Sequence, residues 1–295
     1  MKTSHPSIPE APAAKSPPPT KILITPQRPI LGIPLRELWE YRDLVWQMVR
    51  RDIVTQHKQT ALGPLWFFAQ PILASVVYTI IFQRIAGIPT DDIPPFLFYL
   101  AGTTIWSLLA ITVTRSASTF TANAAVFSKI YFPRLAVPLS QSLVALFLFL
   151  IQMLIFIGFY IYFLLAGYPV EANYRIIIIP FLVLQLGMLG FGVGILIAAF
   201  TTKFRDLQFA VGPGLQLWMY ASCIFFPRSL VPPSLQWLMV ANPAVSIVEA
   251  FRFSVMGRGE VELWQWVTSF ALTLAILLVG LTFFRRAEAT SMDTV

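Results

Sequence analysis

Six uninterrupted apolar stretches follow one another after residue 63, at residues 65–85, 96–113, 143–165, 176–200, 209–226 and 267–284. A hydrocarbon core about 30 Å thick takes roughly 20 helical residues to cross, and each stretch is long enough or nearly so. The pattern predicts an all-α integral membrane protein with six transmembrane helices. Composition agrees, because only 12% of the residues are charged, about half the share of a soluble domain.

The connections between these stretches carry an orientation signal. With the N-terminus placed in the cytoplasm, segments 1–64, 114–142, 201–208 and 285–295 hold 16 of the 21 basic and 8 of the 14 acidic residues. The opposite side holds Arg84, Arg175, Arg228, Arg252 and Arg258 with six acidic residues, so the two sides carry net +8 and −1. Short loops rich in Lys and Arg stay in the cytoplasm, which predicts both termini there. The +7 total is therefore a topology signal. Its basic residues are not gathered on a compact domain, as nucleic-acid binding requires. Cys223, the single cysteine, lies in an apolar run and reads as a packing residue; His5 and His57 have no metal-ligand spacing. No secretory leader is expected, because the first apolar run starts near residue 65.

Residues 1–34 hold nine of the 23 prolines and read as a disordered cytoplasmic tail, followed by one membrane domain over 35–295. From 35 to 55, Leu38, Tyr41, Val45, Met48, Val49 and Ile53 recur at helical spacing opposite Arg36, Glu40, Asp43, Gln47 and Arg50. An amphipathic helix is expected, either lying on the membrane surface with Trp39 and Trp46 at headgroup level or packed on a partner. The connection after the second stretch ends in a cluster of Phe127, Lys129, Tyr131, Phe132 and Arg134, with Pro133 closing a short helix. Two readings fit it, an interfacial anchor of aromatic and basic groups or a docking helix for a cytoplasmic partner. Residues 227–262 are broken by Pro227, Pro232, Pro233 and Pro243. They are expected to form two short helices that enter the outer leaflet and return, with Glu249 and Arg252 pairing three residues apart. An ordinary loop with a surface ion pair is the other reading.

Chemistry that would drive transport is missing from the chain. None of its six lysines follows a glycine, so there is no G-x-x-x-x-G-K-[ST] phosphate loop. The apolar stretches lack a carboxylate or histidine relay, and no catalytic triad or carboxylate pair is apparent. Transport powered by a separate ATPase chain is what remains.

The order of several short motifs adds to this. Arg50-Arg51-Asp52-Ile53, Lys58, Leu62-Gly63, Trp66 and Gln70-Pro71 stand before and at the start of the first stretch. Asn123 through Phe132-Pro133-Arg134 and Pro138 follow the second, Arg205-Asp206 the fourth, and Asn242-Pro243 with Arg252 precedes the last. This succession, over residues 36–286, resembles type-2 ABC exporter permeases, and among them the subunits that export O-antigen, capsule or teichoic-acid polymers. The resemblance implies a homodimer of six-span subunits in the bacterial inner membrane, joined to two cytoplasmic ABC ATPase subunits that bind ATP and Mg. This chain itself would bind no cofactor and no metal. The substrate implied is a polysaccharide on a polyprenyl diphosphate lipid. A permease exporting a small drug or lipid would share the architecture.

The resemblance also implies roles. The loop carrying Phe127, Lys129, Tyr131, Phe132 and Arg134 would couple to the ATPase, and the 35–55 helix would be the interface helix. Arg50, Arg51 and Lys58 would then stand where the lipid diphosphate arrives, the guanidinium forks of the two arginines suiting phosphate; setting orientation and meeting anionic lipid is the alternative. Asn242, Glu249 and Arg252 would form an outer re-entrant gate. A sugar channel needs rings for CH faces to stack on. Phe67, Tyr78 and Phe82 share one helical face, Tyr99 and Trp106 a second, Trp218 and Phe225 a third. Ordinary helix packing would give the same stripes.

Overall fold

The computed structural model describes residues 35–57, 65–122, 132–168, 174–259 and 262–292. The tail, Lys58, Phe127, Lys129 and Tyr131 lie outside these, as does the side chain of Phe67. Every regular element among the described residues is helical. Short helix α1 (Leu35–Glu40) leads into α2 (Arg42–His57). α3 (Leu65–Tyr78) continues as a π-helical stretch, Thr79–Ile85. α4 (Pro95–Ala117) and α5 (Thr119–Ala122) precede α6 (Ala136–Leu165). A 3-10 turn, Tyr174–Ile178, opens α7 (Ile179–Thr201). α8 (Leu207–Tyr220), α9 (Gln236–Ala241), α10 (Pro243–Met256) and α11 (Leu263–Met292) complete the chain.

Among the described residues, four helices are long and apolar enough to cross a membrane: Pro95–Ala117, Ala136–Leu165, Tyr174–Thr201 and Leu263–Ala289. The pair α9–α10 passes the same test jointly but bends by 97°. The chain is thus an all-α, multi-pass membrane protein with four such helices, or five if the bent pair is one broken span. The first predicted span is helical over residues 65–85 as expected, through α3 and its π-helical continuation, whereas the fifth comes out shorter: α8 has 14 residues, about 21 Å at 1.5 Å each. The fifth apolar stretch, expected to run to residue 226, stops being helical at Tyr220 because Cys223 takes a left-handed conformation (φ 54°). The third begins seven residues earlier than expected, at Ala136, and its first residues Ala136 and Val137 pack on Val45 of α2.

Helix α7 is the hub. Its Gly190 and Gly194 leave no room for a side chain against Thr112 and Ser116 of α4, where an added Cβ would lie 2.9 and 2.5 Å away. Its Gly192 faces α11, and a Cβ at Gly280 would stand 2.4 Å from the Gly192 carbonyl oxygen. In lipid, where apolar burial does not drive helices together, such close backbone approach is a main source of association. The spacing Gly190-x-Gly192-x-Gly194 is a readable sign of a helix gripped from two sides.

Candidate functional site

The α10 helix is built to be buried. Asn242 caps it, its Oδ1 accepting from the Ala244 amide at 3.1 Å, with Pro243 in the first turn. Gly257 ends it in the left-handed conformation that glycine adopts without strain. All residues between them except Phe253 are buried, so the ordinary-loop reading of this segment does not hold.

Two polar side chains of this segment hold the turn after α8. Arg252 donates from Nη1 to the Cys223 carbonyl at 2.6 Å and from Nη2 to the Ile224 carbonyl at 2.8 Å. The same Nη1 lies 3.1 Å from Glu249 Oε1, and both side chains are almost fully buried. The guanidinium stacks 3.7 Å over the Phe98 ring of α4, and Gly102 provides the space for it, since a Cβ there would stand 2.9 Å from Nη2. Asn242 adds a second grip. It accepts from Trp218 Nε1 at 2.9 Å and donates to the Ala221 carbonyl at 3.0 Å and to Ser222 Oγ at 3.1 Å. The predicted Glu249–Arg252 pair is therefore present, and its larger task is one the sequence did not reveal: satisfying backbone carbonyls where the chain leaves α8. Glu249 also lines a cleft of about 280 Å3 with Asp91, Asp92, Arg228, Ser229 and Arg258.

Beside this clasp the structure brings together most of the aromatic stripe residues. Tyr78 and Phe82 of the α3 stretch meet Tyr99 of α4 and Phe225, with ring centroids 4.7–6.4 Å apart. Trp106 and Trp218 cross edge to face at 5.8 Å. Tyr99 is fully buried, and its hydroxyl has no hydrogen-bond partner among the described residues.

The opposite end of α6 carries the interface region. Val45 of α2 packs on Phe132, Ala136 and Val137, flanked by Leu38, Tyr41 and Met48. Val49 packs on Val144 and Leu148 beside Ile53. The apolar face of this amphipathic helix is thus used on the chain's own third apolar helix, leaving Trp39 and Trp46 exposed on the other side. Phe132 is likewise buried, against Val45. Arg134 donates from its backbone amide to Glu288 Oε1 at 3.2 Å and from Nη1 to the Glu288 carbonyl at 3.4 Å, which ties the loop's end to α11. Arg50 is exposed, whereas Arg51 pairs with Asp52 through Nε and Nη2, both 2.8 Å from Oδ1. Among the described residues, no group of three or more His, Cys, Asp or Glu is placed to hold a metal ion.

The profile of the ABC-2 type transporter family matches residues 43–256. Among curated relatives, the O-antigen export system permease protein RfbA of Klebsiella pneumoniae is 27% identical over 252 residues, covering 83% of this chain and 92% of its own. RfbA of Myxococcus xanthus is 28% identical over 223 residues, covering 74% and 82%. The polysialic acid transport protein KpsM of Escherichia coli is 26% identical over 248 residues, covering 83% and 93%.

Proposed function

The chain belongs to the ABC-2 type transporter family, and we propose that it is the permease subunit of an ATP-driven exporter of polyprenyl-diphosphate-linked polysaccharide in the bacterial inner membrane. The observation that carries this reading is similarity to O-antigen and polysialic acid transport proteins along nearly their whole length. Members of the family are transport subunits, not enzymes, and this chain has no phosphate loop of its own. ATP and Mg then belong to two separate cytoplasmic subunits seated beneath a permease homodimer. The charge asymmetry supports two cytoplasmic termini. That orientation puts α2 and the 123–134 loop inside and the α9–α10 pair outside, where its 97° bend suits a re-entrant hairpin. With the α3 stretch as one span and α8 as a short one, the count is six.

Division of labour follows from the packing. The loop bearing Phe127, Lys129 and Tyr131 would meet the ATPase, while Phe132 and Arg134 hold its far end to α2 and α11. Motion imposed on the loop would reach both helices. At the outer side, Asn242, Glu249 and Arg252 would hold the gate closed. Tyr78, Phe82, Tyr99, Trp106, Trp218 and Phe225, with Phe67 nearer the inside, would line the sugar path. The mutual contacts of Tyr78, Phe82, Tyr99 and Phe225, and of Trp106 with Trp218, support this grouping, and the Tyr99 hydroxyl, without a partner among the described residues, is a hydrogen-bonding group suited to a sugar hydroxyl. Deleting the gene should remove the polymer from the cell surface and leave lipid-linked polysaccharide accumulating inside. Normal surface polymer, with a small compound retained instead, would overturn the reading.

A further inference from the structure

Arg51 and Asp52 are adjacent in α2, and neighbours on a helix do not ordinarily face each other. Their contact therefore requires both side chains to turn toward one another, and the arrangement is held from behind. Asp52 Oδ2 accepts from Gln141 Nε2 of α6 at 2.5 Å, and Gln141 Oε1 accepts from Arg115 Nη1 of α4 at 3.0 Å. A continuous polar chain thus runs from α2 through α6 to α4, near the C-terminal end of α2. Its outermost member is accessible, with the Arg51 side chain 56% exposed against 18% for Asp52. The guanidinium edge presented to Asp52, Nε with Nη2, is also an edge by which arginine grips phosphate oxygens.

We propose that Asp52 is a placeholder: its carboxylate occupies the Arg51 fork until a diphosphate headgroup displaces it. Asp52 is on this account a positioning residue, and Arg51 the contact to the ligand. The inference rests on the reading above that the substrate carries a diphosphate. A diphosphate brings more negative charge and more acceptor oxygens than one carboxylate, and an exposed ion pair is a weak competitor. Displacement leaves Asp52 to Gln141 alone, so arrival of a headgroup on α2 alters the chain of contacts to the ends of α4 and α6. Of Arg50, Arg51 and Lys58, this separates Arg51 as the residue whose fork is already engaged.

The test uses the permease assembled with its ATPase in phosphatidylcholine nanodiscs, with ATP turnover followed as geranylgeranyl diphosphate, geranylgeranyl monophosphate or inorganic pyrophosphate is added. Asp52→Asn keeps an acceptor for Gln141 and removes the competing charge. It should lower the half-maximal diphosphate concentration about fivefold, roughly 1 kcal/mol, and Asp52→Ser should do the same if the asparagine variant does not assemble. Asp52→Glu keeps the competing charge and should stay near wild type. Arg51→Lys should weaken the response and abolish the gain from Asp52→Asn in the double variant, which a merely structural role for Asp52 would not do. A wild-type response that Asp52→Asn and Asp52→Ser leave unchanged, or a gain that persists with Arg51→Lys, overturns the placeholder alone. No wild-type response to either diphosphate overturns the substrate reading beneath it. A response to the lipid diphosphate without one to pyrophosphate supports an occupant arriving from the bilayer, and equal responses support the same exchange with a soluble one.

Discussion

Replacing Arg252 with leucine is expected to open the turn after α8 and to stop export. The substitution leaves the Glu249 carboxylate buried without its cation and removes the donors of the Cys223 and Ile224 carbonyls. Removing one partner of a buried ion pair costs about 3–5 kcal/mol. Cys223, the single cysteine of the chain and fully buried, reports on the event directly. Its labelling by a maleimide in the folded protein should accelerate about 100-fold, the factor that roughly 3 kcal/mol of local opening implies. Adding Glu249→Gln to Arg252→Leu removes the stranded charge and should recover part of the protection but not export. Arg252→Lys keeps the charge with a single donor group, so it should fall between. Labelling of the Arg252→Leu protein at the wild-type rate would show that the clasp does not hold the turn.

Gly280→Val should be more damaging still to the fold. Its Cβ would stand 2.4 Å from the Gly192 carbonyl oxygen and 3.0 Å from Ile195 Cγ1, and backbone cannot swing aside as a flexible side chain can. The two helices must separate along their length, losing the packing that holds them together in lipid. A loss of more than about 4 kcal/mol places the change among the severe class, so no monodisperse protein should be recovered from detergent. Gly187→Ala, in the same α7 helix but with nothing within 4 Å of its Cβ, should keep or slightly raise the melting temperature, alanine being the better helix former by about 1 kcal/mol. Equal behaviour of the two variants would remove the α7–α11 contact from the account.

Which features were legible in the sequence follows from how local their causes are. Apolar length gave the long helices, and three- and four-residue spacing gave the face of α2 that packs, Val45 and Val49 included. Pro243 marked a break in the 227–262 segment, and Glu249 with Arg252 read as a pair three residues apart. What that pair does was hidden because its acceptors are carbonyls 28 and 29 residues earlier, and carbonyls carry no sequence signature. The packing of Phe132 was hidden because its partners on α2 lie almost 90 residues away. The fifth span was overestimated because apolar composition continues past Tyr220, while the left-handed Cys223 and the clasp that holds it come from tertiary contacts. The glycines of α7 could have been seen, since two faces of small residues on one apolar helix ask for two close neighbours.

The central claim is that this permease passes a lipid-linked polysaccharide through the membrane when a partner hydrolyses ATP. Proteoliposomes holding the purified permease and its ATPase, with the host's own lipid-linked polymer in the ATPase-facing leaflet, measure this through a glycosidase confined to the opposite compartment. The account predicts that the polymer becomes cleavable only when ATP and both subunits are present, and that Arg252→Leu permease leaves it protected. Polymer that stays protected with wild-type permease hydrolysing ATP, while a small amphiphile crosses in its place, would contradict it.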